Sequence, residues 1–187
     1  MTESVNPKGT KHHYNNGLAE GSWKGMKKYL EQEMLCEALR GRVRYDLTWY
    51  PKFGGLSATF TVLLDGAAVK KFGTAYAGSR LKEQGFPLSY VDDVQRIPFS
   101  ARDEFTDDEF SDALKAYRNQ EIGASLASEN PIVRMLAIVD RRVGKRRLES
   151  LREAAEGQPE WLRRFCLARL QAEGVSPCAD FRKEKRE

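Results

Sequence analysis

Apolar positions recur at two different spacings along the chain, and the change from one to the other divides it. Trp23, Met26, Leu30, Met34 and Leu39 follow near-helical spacing behind Ser22, an N-cap residue type, with Gly41 as the stop. That spacing predicts an amphipathic helix. In "RVRYDLTWY" the period falls to two: Val43, Tyr45, Leu47 and Trp49 share one side, and Arg42, Arg44, Asp46 and Thr48 the other. This is a strand, ended by Pro51 and Gly54-Gly55. "LSATFTVLLDGAAVKKF" adds two more strands around Asp65-Gly66, a pair suited to the positive φ angles of a two-residue hairpin turn. A three-stranded antiparallel meander results, with the first helix available to cover its apolar face.

Between Gly73 and Arg102 the pattern weakens to a short helix around Gly78 to Gln84 and a strand near Val94 to Pro98. From Thr106 onward the period is helical. Thr106 and Glu109 have capping-box spacing, and Phe105, Phe110, Leu114 and Tyr117 form the staple and stripe. Asn130-Pro131 opens a helix with Ile132, Met135, Leu136, Val139 and Val143 in one stripe and Gly144 as its end. A second helix runs from Lys145 to Glu156. A third opens at Pro159, passes through Trp161, Leu162, Phe165, Cys166 and Ala168, and stops at Gly174.

Two of these openings echo each other. Pro131 and Pro159 stand 28 residues apart, each followed by an apolar-Arg pair (Val133-Arg134, Leu162-Arg163) and a small residue three further on, Ala137 or Cys166. The pattern resembles the start of HEAT-type helical hairpins, which need about three units to stack stably. Two short units predict instead a helical layer packed on the preceding helix or the sheet. The expected class is therefore α+β, with a flexible lead-in over 1–21, a meander region over 22–101, a helical region over 102–175 and a charged tail over 176–187.

Composition adds a polarity. Residues 1–74 carry a net +4, residues 75–130 a net −5 and residues 131–187 a net +5, within an overall charge of +4. The acidic middle is accounted for in part by Asp107, Asp108, Glu109 and Asp112, which sit where a helix dipole favours negative charge. Cys36, Cys166 and Cys178 form no close pair, which excludes a zinc knuckle and a disulfide framework and leaves Cys36 and Cys166 as small core residues. No run approaches the roughly 18 apolar residues of a membrane span, and the N-terminal segment lacks a signal-type apolar centre, so a cytoplasmic location is expected.

The sharpest charge feature is "IVDRRVGKRRLESLR", which brings Arg141, Arg142, Lys145, Arg146 and Arg147 within seven positions. Lys145, Arg146 and Arg147 fall in the first turn of a predicted helix, where the macrodipole opposes them by some tenths of a kcal/mol each. Local helix energetics do not explain them. Either carboxylates of the same fold neutralise them (Asp140, Glu149, Glu153 or the acidic helix), or they meet an external polyanion or an acidic protein partner. Arg134 and Arg141, seven apart, lie opposite the apolar stripe, and Arg163 and Arg164 follow on the next helix. The candidate binding set is thus Arg134, Arg141, Arg142, Lys145, Arg146, Arg147, Arg163 and Arg164. A second cationic surface is read on the sheet, where Arg42, Arg44, Lys52, Lys70 and Lys71 lie near Trp49, Tyr50 and Phe53.

Catalytic signals are sparse. The chain has no Gly-rich phosphate loop, no G-x-S-x-G elbow and no H-E-x-x-H or C-x-x-C spacing. Its two histidines, His12 and His13, stand on the lead-in, which leaves histidine acid/base and Ser-His or Cys-His chemistry without a candidate. Asp92-Asp93 and Asp107-Asp108 are the carboxylate pairs a divalent-metal hydrolase would draw on, and this is the weakest of the readings. No catalytic residue, metal site or cofactor is expected.

From about Trp23 to Val175 the chain resembles a family of bacterial proteins found in Clostridia-type genomes and their mobile elements. "SWKGMKKYLEQ", "RGRVRY" leading into "VLLDG", and above all "SENPIVRMLAIVDRRVGKRRLESL" and "PEWLRRFCLARLQAEGV" carry the resemblance. It implies a bacterial origin and carriage on phage or plasmid, and no active site to transfer. The expected function is a non-enzymatic interaction protein that binds nucleic acid or a nucleic-acid-processing protein through the basic helical surface. The alternative is an anti-CRISPR-type inhibitor of a host nuclease, using the acidic helix or the basic stretch. Small-molecule cofactors and membranes are not expected as partners.

Overall fold

A computed structural model describes residues 23–52, 55–88 and 91–175. The predicted lead-in with His12, His13 and Ser22, the predicted charged tail with Cys178, and Phe53 lie outside these residues.

Alternation in the strands and the Asp65-Gly66 turn give the sheet as expected. β1 (Val43–Lys52), β2 (Gly55–Leu64) and β3 (Ala67–Phe72) form an antiparallel meander in the order β1-β2-β3. Asp65 (φ 53°) and Gly66 (φ 81°) take the two left-handed positions of the hairpin. Val43, Tyr45, Phe60, Val62, Lys70 and Phe72 are buried, and Arg44, Asp46 and Lys71 are exposed. One inward residue is unexpected. Lys70 was read beside Lys71 as part of a cationic surface, but it shares the buried face with Phe72 and is only 7% exposed. Period two in β3 places residues 70 and 72 on one side, and Glu104 supplies the partner that makes a buried ammonium tolerable.

The first helix is shorter than its stripe predicts. α1 (Trp23–Lys28) passes into a π turn (Tyr29–Met34) and stops; Leu35 is extended (ψ 137°), and a 3-10 turn follows at Glu37–Leu39. The cause is tertiary. Leu35 makes an antiparallel bridge with Asp140, in which Cys36 N donates to the Val139 carbonyl (2.9 Å) and Arg141 N donates to the Met34 carbonyl (3.0 Å). Those bonds replace the ones another turn of helix would form.

α2 (Thr74–Glu83) begins earlier than predicted, directly after β3. Gly73 joins the two because a Cβ there would lie 2.4 Å from Thr59 Oγ1 and 2.8 Å from the Ala58 carbonyl. The strand expected near Val94 to Pro98 is instead a 3-10 turn over Val91–Arg96, followed by another at Phe99–Ala101. Val94 is buried against Ala77 and Leu81 of α2 with Ile97 packed alongside, a spacing of three that suits a 3-10 turn and breaks strand alternation.

α3 (Asp107–Arg118) starts with the complete capping box, Thr106 and Glu109 each bonding the other's backbone N–H. α4 (Ile122–Leu126) leads to α5 (Pro131–Val139), whose N-cap Asn130 accepts from Ile132 N at 2.9 Å. α5 ends at Val139, short of the predicted stop at Gly144, since Asp140 has turned extended (ψ 141°) to bridge Leu35. α6 (Lys145–Ala154) and α7 (Glu160–Ala172) complete the layer.

α5 packs against α3, α4 and α7, and α7 reaches the sheet, where Trp161 meets Phe72 edge-on with ring centroids 6.2 Å apart. Phe60, Phe72, Phe105 and Phe110 join sheet and helices into one core that also takes in Leu30, Met135, Leu136 and Phe165. Cys36 and Cys166 are buried in it, and burial pushes the Cys166 thiol up to about 12. Among the described residues no helix is long and apolar enough to cross a membrane.

Candidate nucleic-acid interface

The basic stretch forms the corner between α5 and α6, and its geometry is set by Asp140. This carboxylate is 2% exposed and has three groups on it: the Tyr117 hydroxyl, Arg142 N (2.5 Å to Oδ1) and the Arg142 guanidinium (Nε 3.1 Å, Nη2 3.0 Å to Oδ2). Arg142 Nη2 also donates to the Tyr117 hydroxyl at 2.8 Å, and its guanidinium lies over the Tyr117 ring, 5.3 Å from the centroid. From the other side Arg169 of α7, itself 2% exposed, donates to the carbonyls of Asp140 (3.0 Å) and Val143 (2.9 Å) and pairs with Glu173 at 3.2 Å. The turn between α5 and α6 is therefore bolted at both carbonyls and at its one acidic side chain.

That arrangement sorts the predicted residues. Arg142 belongs to the inner side, half-exposed but tied to Asp140. Arg141, Arg146 and Arg147 are exposed, and none has an ion pair with a carboxylate of the described residues. Glu149 and Glu153, offered by the sequence as internal neutralisers, are exposed on α6 and make no such pair either. Lys145 opens α6; its side chain lies outside the described part of the structure.

The α7 and α5 members diverge from the corner. Arg163 pairs with Glu160 (2.9 Å), Arg164 is exposed, and Arg134 lies in the first half of α5, seven residues before Arg141 and separated from it by the extended Asp140. Arg134 Nη1 donates to the Ser128 carbonyl at 2.9 Å, and the residue lines a separate cleft.

The acidic helix is similarly divided. Asp107 is buried and accepts from both the backbone N–H and the hydroxyl of Thr74, at 3.0 and 2.7 Å, which caps α2 from another element. Glu109 holds the buried Arg102 as well as the capping box, and Asp112 pairs with Lys115 at 3.0 Å. Behind them Lys70 pairs with Glu104 at 3.2 Å and lies over the rings of Phe105 and Trp161; burial lowers its pKa, against the pull of Glu104. Among the described residues no group of three or more His, Cys, Asp and Glu is placed to hold a metal ion.

Sequence reasoning did not find Tyr117 and Arg169 as partners of Asp140. A signal existed for Arg169: it falls four residues after Phe165 and three after Cys166, where the α7 stripe calls for an apolar side chain. A charged residue on a core face must bring its partners with it. For the sheet surface, Trp49, Tyr50 and Lys52 have side chains outside the described part, while Arg42 is tied to Asp65 at 2.8 Å across the hairpin.

No curated protein and no solved structure was found to match the chain. A family model does match residues 22–170, which takes in the sheet, the helical layer and the whole Asp140 corner, and the chain belongs to the SF0329 protein family.

Proposed function

We propose that the protein is a non-enzymatic interaction protein of the bacterial cytoplasm, carried on a mobile element, that binds nucleic acid or a nucleoprotein target through the outer side of the α5–α6 corner. The bacterial and mobile-element setting rests on the sequence resemblance. The binding reading is supported by one observation above the others: Arg141, Arg146 and Arg147 are exposed and have no carboxylate partner among the described residues, although Glu149 and Glu153 stand on α6 with two of them. Spread over seven sequence positions across a braced turn, these guanidinium groups are held within about 20 Å of chain, a span that matches several phosphates along a duplex.

Asp140, Tyr117 and Arg169 fix the turn, so the outer side chains present their charge without the backbone having to order on binding. Phosphate contacts of this kind give affinity without sequence preference and release counterions. The test is anisotropy of a fluorescently labelled duplex across a salt series. Binding should weaken with a log–log slope of about −3, roughly −0.9 per neutralised phosphate. A variant carrying Arg141→Gln, Arg146→Gln and Arg147→Gln should lose most of both affinity and slope, and equal binding by that variant would remove the proposal.

A further inference from the structure

A cleft of about 1050 Å³ opens away from the basic corner, where the acidic middle of the chain meets the N-terminal ends of α5 and α7. Its walls include Pro98, Phe99, Asp103, Glu129, Arg134 and Pro159. Two kinds of surface alternate there. Phe99 and the prolines offer flat apolar faces without side-chain hydrogen-bond donors. Arg134, Asp103 and Glu129 offer charge.

None of the three has an ion-pair partner among the described residues. Arg134 has one bond, to the Ser128 carbonyl, and no carboxylate partner among the described residues, and its Nε is buried with nothing bonded to it. Burial also lowers its pKa, the mark of a cation short of solvent and counter-charge. Glu129 is exposed and makes no ion pair among the described residues; the Asp103 carboxylate is exposed too, in the field of the Lys70 ammonium but not in contact with it. Arg102, which also lines the cleft, is fully used by Glu109 and by the carbonyls of Ile97 and Glu104, and contributes no free charge.

An anion alone would be drawn to Arg134 and repelled by two carboxylates. A cation alone would meet the converse. A nucleotide, with its concentrated negative charge, fits poorly for the same reason. A free amino acid carries both signs but is several times smaller than the space, which is in the range that encloses a drug-sized ligand. We propose that this cleft binds a short peptide segment of mixed charge, with an acidic side chain on Arg134, a basic side chain against Glu129 and Asp103, and an apolar residue on Phe99 and the adjoining prolines. The site is independent of the polyanion-binding corner, and neither reading needs the other.

Gly157 supplies a place for a block. It lies on the cleft wall, and a Cβ placed there meets nothing within 4 Å, so Gly157→Phe adds bulk at the wall where a side chain has room. The experiment uses the full chain, ¹⁵N-labelled, titrated with three hexapeptide pools: one with a fixed Glu and a fixed Lys, one with two fixed Glu, one with two fixed Lys.

The mixed pool should shift the amides of Ser100, Glu129 and Gly157 in a saturable way. Gly157→Phe should abolish those shifts, and Arg134→Gln should weaken them by about tenfold, the loss of one charged hydrogen-bonding partner. Glu129→Gln, at an exposed position, tests the other pole and should also weaken the mixed pool. Arg141→Gln with Arg146→Gln and Arg147→Gln should leave the shifts unchanged, which separates this site from the corner. The proposal is overturned if no pool shifts these amides, if either single-sign pool binds as well as the mixed one, or if Gly157→Phe retains the shifts.

Discussion

The inner and outer sides of the α5–α6 corner draw on one run of arginines and put them to opposite use. On the inner side Arg142 shares the buried Asp140 with Tyr117, while Arg169 closes the turn from α7. On the outer side Arg141, Arg146 and Arg147 are exposed, with no carboxylate of the described residues on them. The residue type is the same, and Arg141 and Arg142, on opposite sides of the corner, are adjacent in sequence. The difference is whether a neighbouring element supplies an acceptor. A guanidinium with its partners buried around it is costly to remove and cannot be given to a ligand without leaving an unpaired carboxylate behind. A solvated one contributes little to the fold and is free to meet phosphate.

This contrast can be broken from either side, and the largest effect should come from its centre. Asp140→Ala leaves the Tyr117 hydroxyl, Arg142 N and a guanidinium without their acceptor, and urea denaturation should show a loss of about 3–5 kcal/mol. Arg169→Met keeps the volume in the core but frees two buried carbonyls, for an expected loss of about 2–3 kcal/mol by the same measurement.

Arg142→Gln should cost about 1 kcal/mol, because its guanidinium is 45% exposed and solvent screens part of the pairing. A double-mutant cycle with Tyr117→Phe should return a coupling of at least about 0.5 kcal/mol, and additivity within error would mean that Arg142 and Tyr117 do not act together. Last, Arg141→Gln, Arg146→Gln and Arg147→Gln together should leave stability within about 0.5 kcal/mol of the parent while duplex binding falls. A stability loss comparable to that of Asp140→Ala would erase the distinction between the two sides.

The same division between local and distant causes governs the rest of the fold. β1 and the Asp65-Gly66 turn are legible because alternation and positive-φ chemistry act over a few residues. The Thr106/Glu109 box and the Asn130-Pro131 start are legible for the same reason. The breaks at Met34 and Val139 are not. Each apolar stripe continues past its break, to Leu39 and Val143, and only the meeting of Leu35 with Asp140, more than a hundred residues apart in sequence, ends both helices. The 3-10 turn at Val91–Arg96 is not legible because its apolar positions are too few to show a period, and only packing against Ala77 and Leu81 of α2 selects the turn.

Within the candidate site, the sequence marked the cations and could not sort them. Arg142 looks like Arg141 until Tyr117 and Asp140 are brought together, and Arg134 looks like a member of the same stripe until α5 is seen to carry it to a cleft at its other end. Lys70 and Lys71 look alike in the sequence, but period two separates them onto opposite faces and Glu104 receives the inner one.

What the sequence determined by itself is the inventory: a meander, a capped helical layer, a polarity of charge and a family, each written in spacings that nearest neighbours enforce. What the tertiary structure decided is which charges are spent inside and which face outward. Pairing of that kind depends on acceptors delivered from other elements, and no local spacing encodes where Asp140, Tyr117 and Arg169 will meet.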